Sequence, residues 1–335
     1  MIDLVAEQSA LGGLERWLHD PSITEVIVNA GTEVWVERNG RLTHVGSMRA
    51  ESLLAAIEHI LTPIGRRLDR SSPTVDARLP DGSRLCAVIP PVAVDGPCLT
   101  IRRFAVQPIP LAGFADAPTA ELLRTVVAHR CNVLVSGPTS SGKTTLLNSL
   151  AQHVPQHERI ITLEDIAELR LPHPHVVRLE TRAATPDGVG DVTMVDLLRA
   201  ALRLRPDRLV VGEVRGAEAV ALLQALNTGH DGSLATVHAN SADDALARLA
   251  TLVLHDAPSW PLAAIREHVR RAIDVVVHVA RGTDGSRRVV DVAQVDLAAG
   301  VDGEITTSSL LTGSLLTGSR AGGALSRGRA SAVLT

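Results

Sequence analysis

The 335 residues are 45% hydrophobic and 21% charged, with 33 Lys plus Arg against 37 Asp plus Glu and a net charge of -4. That length accommodates two ordinary domains, each with its own core, and the acidic balance lacks the overall basic field that generic nucleic-acid binding needs. No apolar run reaches the roughly 18 residues of a membrane-spanning helix. The start, MIDLVAEQSALGG, lacks a signal-peptide layout, and three scattered cysteines (Cys86, Cys98, Cys131) suggest neither a zinc site nor a disulfide framework. The expectation is a soluble chain of a reducing cytoplasm.

Residues 1–20 read as a short amphipathic helix, with Leu11, Leu14 and Leu18 on one face, stopped at Asp20-Pro21. Three strand-like runs follow, ITEVIVN, EVWVER and RLTHVG, with Asn39-Gly40 as a hairpin turn between the last two. Residues 50–61 carry a helical pattern. VDARLPDGSRLCAVIPP reads as a second hairpin around Asp81-Gly82, and CLTIRRF as a last strand. Residues 21–106 are thus predicted to form a small α+β domain.

The Pro-rich stretch at 107–118, beginning QPIPLAGF, sustains neither helix nor sheet pairing and marks a hinge-like boundary. Beyond it helices alternate with apolar strands: a helix at 119–129, CNVLVS, a helix from Lys143, RIITLED, a helix at 193–204, RLVVGE, a helix at 216–227, SLATVHA and a helix at 241–254. Alternation of this kind predicts a parallel sheet covered on both faces, the α/β fold of a P-loop domain, over residues 119–300. The tail at 301–335, rich in Ser, Thr, Gly and Ala, is expected to be largely disordered.

GPTSSGKT matches the G-x-x-x-x-G-K-[ST] phosphate loop and lies between an apolar strand and a helix start, where its chemistry requires it. Gly137, Pro138, Thr139, Ser140, Ser141 and Gly142 supply the backbone cradle. Lys143, Thr144 and Thr145 open the helix, with Lys143 on the β and γ oxygens and the Thr144 hydroxyl on Mg2+. Of the 33 basic residues, Lys143 alone is lysine; a compact three-donor ammonium stands where a planar guanidinium fits badly.

A strand-end carboxylate should accompany this loop, to hold the magnesium's water shell or polarise the attacking water. RLVVGE offers Glu213, and the strand RIITL runs into Glu164, Asp165 and Glu168. Both Glu213 and Glu164 should face the γ-phosphate, because ligands of parallel sheets lie at the carboxyl ends of strands. His230 and His238 bracket SLATV and are candidates to bind phosphate oxygen or orient water, with Thr236 and Asn240 nearby. Most arginines read as solvated surface. Arg102, Arg103, Arg178 and Arg182 stand near the expected site, where a guanidinium from another domain or subunit would neutralise the transferring phosphoryl group.

The ordered set GPTSSGKTT, TLEDIAELRL, HVVRLETR, RPDRLVVGEVRG and TGHDGSLATVHANS, with PTVDARLPDGSRLCAVIPPVAVDGPCLTIRRF upstream, resembles the type II/IV secretion-system ATPases over about residues 20–295. It looks most similar to their CpaF/TadA branch, the tight-adherence pilus assembly motors. The resemblance implies an Asp box at TLEDIAEL, a Walker B at RLVVGEVRG and a His box at TGHDGSLATVHA. It also implies a ring hexamer of RecA-like ATPase domains, each preceded by an N-terminal domain, that uses ATP and Mg2+ at the inner face of the cytoplasmic membrane. Domain rotation would pass to an inner-membrane platform protein, with Arg102 and Arg103 sensing the γ-phosphate across the hinge.

The chain departs from the family in having only about 20 residues before the N-terminal domain, a tail that matches poorly, and no tetracysteine zinc insert. Among other classes, a nucleic-acid-dependent RecA-like motor conflicts with the acidic balance and with 1% aromatics, since single-strand channels use basic grooves and stacking platforms. A guanine-reading N-K-x-D motif is impossible in a chain whose one lysine is in the P-loop.

Overall fold

The computed structural model describes residues 11, 13–30, 32–38, 40–103, 109–182, 190–296 and 303–311. They fall into two compact units, Met1–Gln107 and Pro108–Thr335. In the first unit the described residues form α1 (Glu15–Leu18), α2 (Ala50–Leu61) and six strands: β1 (Ile23–Asn29), β2 (Glu33–Arg38), β3 (Arg41–Ser47), β4 (Thr74–Arg78), β5 (Arg84–Val88) and β6 (Cys98–Arg102).

Every pairing in this sheet is antiparallel, in the order β3-β2-β1-β6-β5-β4. Arg38 opposes Arg41 and Arg78 opposes Arg84, so the two hairpins close where the Asn-Gly and Asp-Gly pairs predict. Strand periodicity then assigns the faces: Val26, Val28, Val34, Val36, Leu99 and Ile101 point inward onto Leu53, Ile57 and Leu61 of α2 and Trp17 of α1. Of the helix expected over 1–20, α1 is the part within the described residues.

The second unit is built on a sheet of order β14-β13-β12-β7-β11-β10-β8-β9 among the described residues. The P-loop strand β7 (Val133–Gly137) runs parallel to β11 (Leu234–His238) on one side and β12 (Val275–Arg281) on the other. Next to β11 come β10 (Arg208–Val211), β8 (Ile160–Glu164) and β9 (Val176–Glu180), all parallel. Strands β7, β8 and β10 are buried at every position, because helices cover both faces.

On one face Val133 and Val135 pack with Leu123 of α3 (Ala117–Ala128) and Leu146, Leu147 and Leu150 of α4 (Lys143–Ala151). On the other, Leu134 joins a core shared with α5 (Met194–Arg203), α6 (Glu218–Asn227), α7 (Ala242–Asp256) and α8 (Leu262–Ala272). Helix starts follow capping chemistry. Asp116 caps α3 by accepting from Thr119 N at 3.0 Å, and Thr193 and Asp196 form a reciprocal capping box on α5.

Three expectations change. The sheet is mixed rather than wholly parallel, since β13 (Arg287–Val295) and β14 (Thr307–Ser309) add antiparallel strands beyond β12. The start of the tail is ordered: β14 pairs with β13, and the hydroxyls of Thr307 and Ser309 donate to Asp243 at 2.7 Å and Asp291 at 2.6 Å. Disorder therefore does not begin at residue 301, and residues 312–335 lie outside the described residues. The Pro-rich connection is also narrower than 107–118, because Leu111 and Phe114 are buried in the second unit's core beside α3 and α4.

Candidate nucleotide site

The phosphate loop leaves the buried end of β7 and turns into α4 through left-handed backbone at Ser140 (φ 60°) and Gly142 (φ 97°). A side chain at Gly142 is excluded twice, by that φ and by the Arg287 side chain, whose Cδ would lie 2.7 Å from an added Cβ. Lys143 is buried and directs its ammonium back over the loop, donating to the carbonyls of Gly137 at 2.9 Å and Pro138 at 3.0 Å. Ser141, fully buried, has a hydroxyl without a protein partner.

A chain of contacts runs from this lysine across the carboxyl ends of the neighbouring strands. Lys143 Nζ lies 3.4 Å from His238 Nδ1, at the end of β11. An ammonium only donates, so Nδ1 accepts and the imidazole carries its proton on Nε2, which donates to Glu213 Oε1 at 2.9 Å. Burial, reinforced by Lys143 and Arg215, holds the His238 pKa below the ordinary value against the pull of Glu213, so the ring is neutral at pH 7. Glu213 Oε2 accepts from Arg215 Nη2 at 2.7 Å, and the same guanidinium lies 3.6 Å from Asp165.

Glu164 ends β8 and is 3% exposed. Its Oε1 accepts from the backbone N–H groups of Glu168 at 2.9 Å and Leu169 at 2.8 Å, while Oε2 is buried with no partner. Burial pushes its pKa up to about 7; the two N–H donors and the Arg178 guanidinium pull the other way without offsetting it. Gly212 makes room for it: a Cβ there would stand 2.9 Å from Glu164 Cγ. Gly212 is in turn tied to β11 by the Thr236 hydroxyl, which donates to its carbonyl at 2.6 Å. A buried carboxyl with a pKa near neutrality and one open oxygen suits a group that exchanges a proton with water.

The remaining candidates are placed differently. His230 lies before β11 begins, at the opposite end of the sheet from His238 and separated from it by roughly 13 Å of strand. Its Nδ1 is 3.1 Å from the Ala225 carbonyl, so it serves the end of α6 rather than the phosphate loop. Arg182 follows the edge strand β9, four strands and roughly 19 Å across the sheet from β7, where it bridges Val192 and donates to the Gly190 carbonyl. In the first unit, Arg103 donates to the carbonyls of Asp20 and, at 3.2 Å, Ile23. Arg102 stands at the end of β6 opposite Glu25.

Arg215 is the site residue the motif reading passes over. The signal for it is present in GEVRG, which sets a guanidinium two residues after a strand-end carboxylate. Only the fold shows that it reaches both Glu213 and Asp165.

Residues 7–305 match the family described as Type II/IV secretion system protein. The chain belongs to that family. Its relatives include a putative conjugal transfer protein of Mycobacterium tuberculosis, 41% identical over 89% of this chain and 88% of that protein. The type IV secretion system protein PtlH of Bordetella pertussis is 37% identical over 84% of this chain and 93% of its own length. The probable conjugal transfer protein TrbB of Sinorhizobium fredii is 35% identical, with coverages of 90% and 93%.

Among solved structures, the Legionella pneumophila ATPase DotB aligns with a TM-score of 0.62 at 20% identity, over 85% of this chain and 81% of that one. The pilus retraction motor PilT with bound ADP gives 0.60 at 22% identity, over 84% and 80%. These likenesses show the fold, an N-terminal β domain followed by a RecA-like domain.

Proposed function

We propose that this member of the secretion-system family binds ATP with Mg2+ at the loop 137–145, hydrolyses it, and works as a hexameric motor on an inner-membrane platform protein at the cytoplasmic face of the membrane. The observation that carries the reading is the convergence of Lys143, His238 and Glu213 in one contact chain at the carboxyl ends of β7, β11 and β10. The buried, half-titrated Glu164 on β8 stands behind Gly212 of the same row.

In this reading Lys143 exchanges its loop carbonyls for phosphate oxygens, and the buried Ser141 hydroxyl gains the acceptor it lacks. Thr144 and Glu213 are hard oxygen donors of the kind magnesium takes. Both Glu213 oxygens already accept N–H bonds, which suits a carboxylate facing the cation's water shell. The cation supplies charge neutralisation on the phosphates. Glu164 takes the proton of the attacking water, and the neutral His238 links Lys143 to Glu213. Arg182, and Arg102 or Arg103, are proposed to approach the phosphates from a neighbouring subunit or domain during the working cycle.

Replacing Lys143 with alanine tests the core of this reading. Steady-state ATP turnover should vanish while the circular dichroism spectrum stays as it was; turnover at the wild-type rate would place the chemistry elsewhere. If Glu164 is the base, Glu164→Gln lowers kcat by about 10²–10⁴ and abolishes the acid limb of the pH–rate profile near pH 7.

The machine served is a tight-adherence type pilus, on the motif resemblance, or a conjugal or type IV secretion apparatus, on the names of the relatives. The membrane protein that co-purifies with the chain decides between them, and native mass spectrometry with and without nucleotide tests the hexamer. Strong stimulation of turnover by single-stranded DNA would instead favour a nucleic-acid-dependent RecA-like ATPase.

A further inference from the structure

A cavity of about 730 Å³ opens in the second unit between the segment leading into α3, the start of β13 and the end of the C-terminal strand. That volume lies within the roughly 300–1,000 Å³ of small-molecule sites. Its apolar walls are Ala112, Phe114, Leu122, Val289, Leu310 and Leu311. The cavity adjoins the phosphate loop: Arg287 lines it and its side chain passes across Gly142. The N-terminus of α3 lies at the P-loop end of the sheet, because this helix runs back before β7 returns.

The polar side chains around the cavity are largely occupied by one another. Asp116 is bonded to both the backbone and the hydroxyl of Thr119. The Ser286 hydroxyl donates to Asp284 at 2.6 Å and accepts from Arg288 Nε at 3.2 Å. Arg287 is the lining cation that faces the loop. The cavity therefore offers apolar surface without side chains set aside to read the edge of a heterocycle.

We propose that this cavity holds the nucleoside half of the P-loop ligand, gripping ribose and base by contact with Leu122, Val289, Leu310 and Leu311 and discriminating little between adenine and guanine. The proposal rests on the nucleotide reading of the P-loop. It gives the ordered C-terminal segment a task, since Leu310 and Leu311, beyond β14, close one wall. Selective sites bond the polar groups that distinguish one substrate from another, and rejection by about 10⁴–10⁵ follows from leaving such groups unpaired. Contact alone separates similar ligands by far less.

The test measures binding of ATP, GTP and inorganic tripolyphosphate to the full-length protein by calorimetry, for the wild type, Ala112→Trp, Leu310→Glu and Lys143→Ala. Ala112 is exposed, so its replacement fills the cavity without touching the core. Ala112→Trp and Leu310→Glu should weaken ATP by about 10-fold or more and leave tripolyphosphate within about twofold, because only the nucleoside half is affected. Wild-type affinities for ATP and GTP should agree within about tenfold.

Unchanged ATP affinity in both cavity variants, parallel loss of tripolyphosphate, or a GTP preference beyond that range overturns the proposal. Lys143→Ala should lose both ligands; if it keeps tripolyphosphate, the P-loop reading itself has failed. Should the variants not fold, photolabelling of the wild type with 8-azido-ATP decides. Modification within 109–122, 286–289 or 310–311 supports the proposal, and modification only elsewhere rejects it.

Discussion

The two ends of the second unit's sheet both bury polar groups, and they do so to opposite effect. At the amino ends of the strands, Arg208 is completely buried, ion-paired with Glu158, and donates to the carbonyls of Val127 and Gly232, each at 3.0 Å. Asn132 beside it spends its side chain on the Ala272 carbonyl and on the N–H groups of Gly232 and Ser233. At the carboxyl ends, Ser141 Oγ and Glu164 Oε2 are equally buried and have no partner. A burial cost left uncompensated at one end and compensated at the other marks where a ligand is expected.

Stability measurements should break or sharpen that contrast. The largest effect belongs to Glu158→Leu, which strands the Arg208 guanidinium in the core. It should cost about 3–5 kcal/mol in denaturant unfolding. A loss below about 1 kcal/mol would show that the carbonyls alone satisfy the arginine.

Glu164→Gln should have the opposite sign. Burial raises the Glu164 pKa from 4.5 to about 7, so the native state holds its proton more tightly than the unfolded chain. The stability this provides is complete below pH 4.5 and is lost as pH rises through 7. The glutamine variant avoids that loss. Relative to wild type it should gain on the order of 3 kcal/mol between pH 4.5 and pH 8, and a pH-independent difference would sink the assignment. Residues that carry chemistry at the expense of stability give this sign.

Arg215→Gln should leave stability within about 0.5–1 kcal/mol, since its ion pairs are half exposed. It should nevertheless alter the magnesium dependence of turnover, because it frees one oxygen of Glu213. The smallest effect is expected from His230→Ala, within about 0.5 kcal/mol and with turnover unchanged. A large loss of activity there would return His230 to the list of catalytic groups.

Much of this was legible in the chain itself. The hairpins around Asn39-Gly40 and Asp81-Gly82, the helix at 50–61 and the alternation from β7 to α7 follow from local chemistry, namely turn residues, caps and apolar period. The loop 137–145 is a contiguous motif and needed no fold to be read. What failed was non-local. The partly exposed β9 is a strand because β8 offers it an edge, and β14 is a strand because Asp243 and Asp291 receive its hydroxyls. His230 and His238 look equivalent in TGHDGSLATVHANS, yet a strand between them sends them to opposite ends of the sheet.

The sequence by itself determined that this protein carries a phosphate loop in a parallel α/β domain, because a P-loop is written in consecutive residues whose backbone geometry they alone set. Tertiary structure decided which distant side chains share that loop's surroundings. Glu164 is a candidate base because burial against Gly212 moves its pKa, and Arg215 belongs to the site because β10 and β8 are neighbours. A pKa and a contact across strands depend on what surrounds a residue in space, and that is specified only when the whole chain has packed.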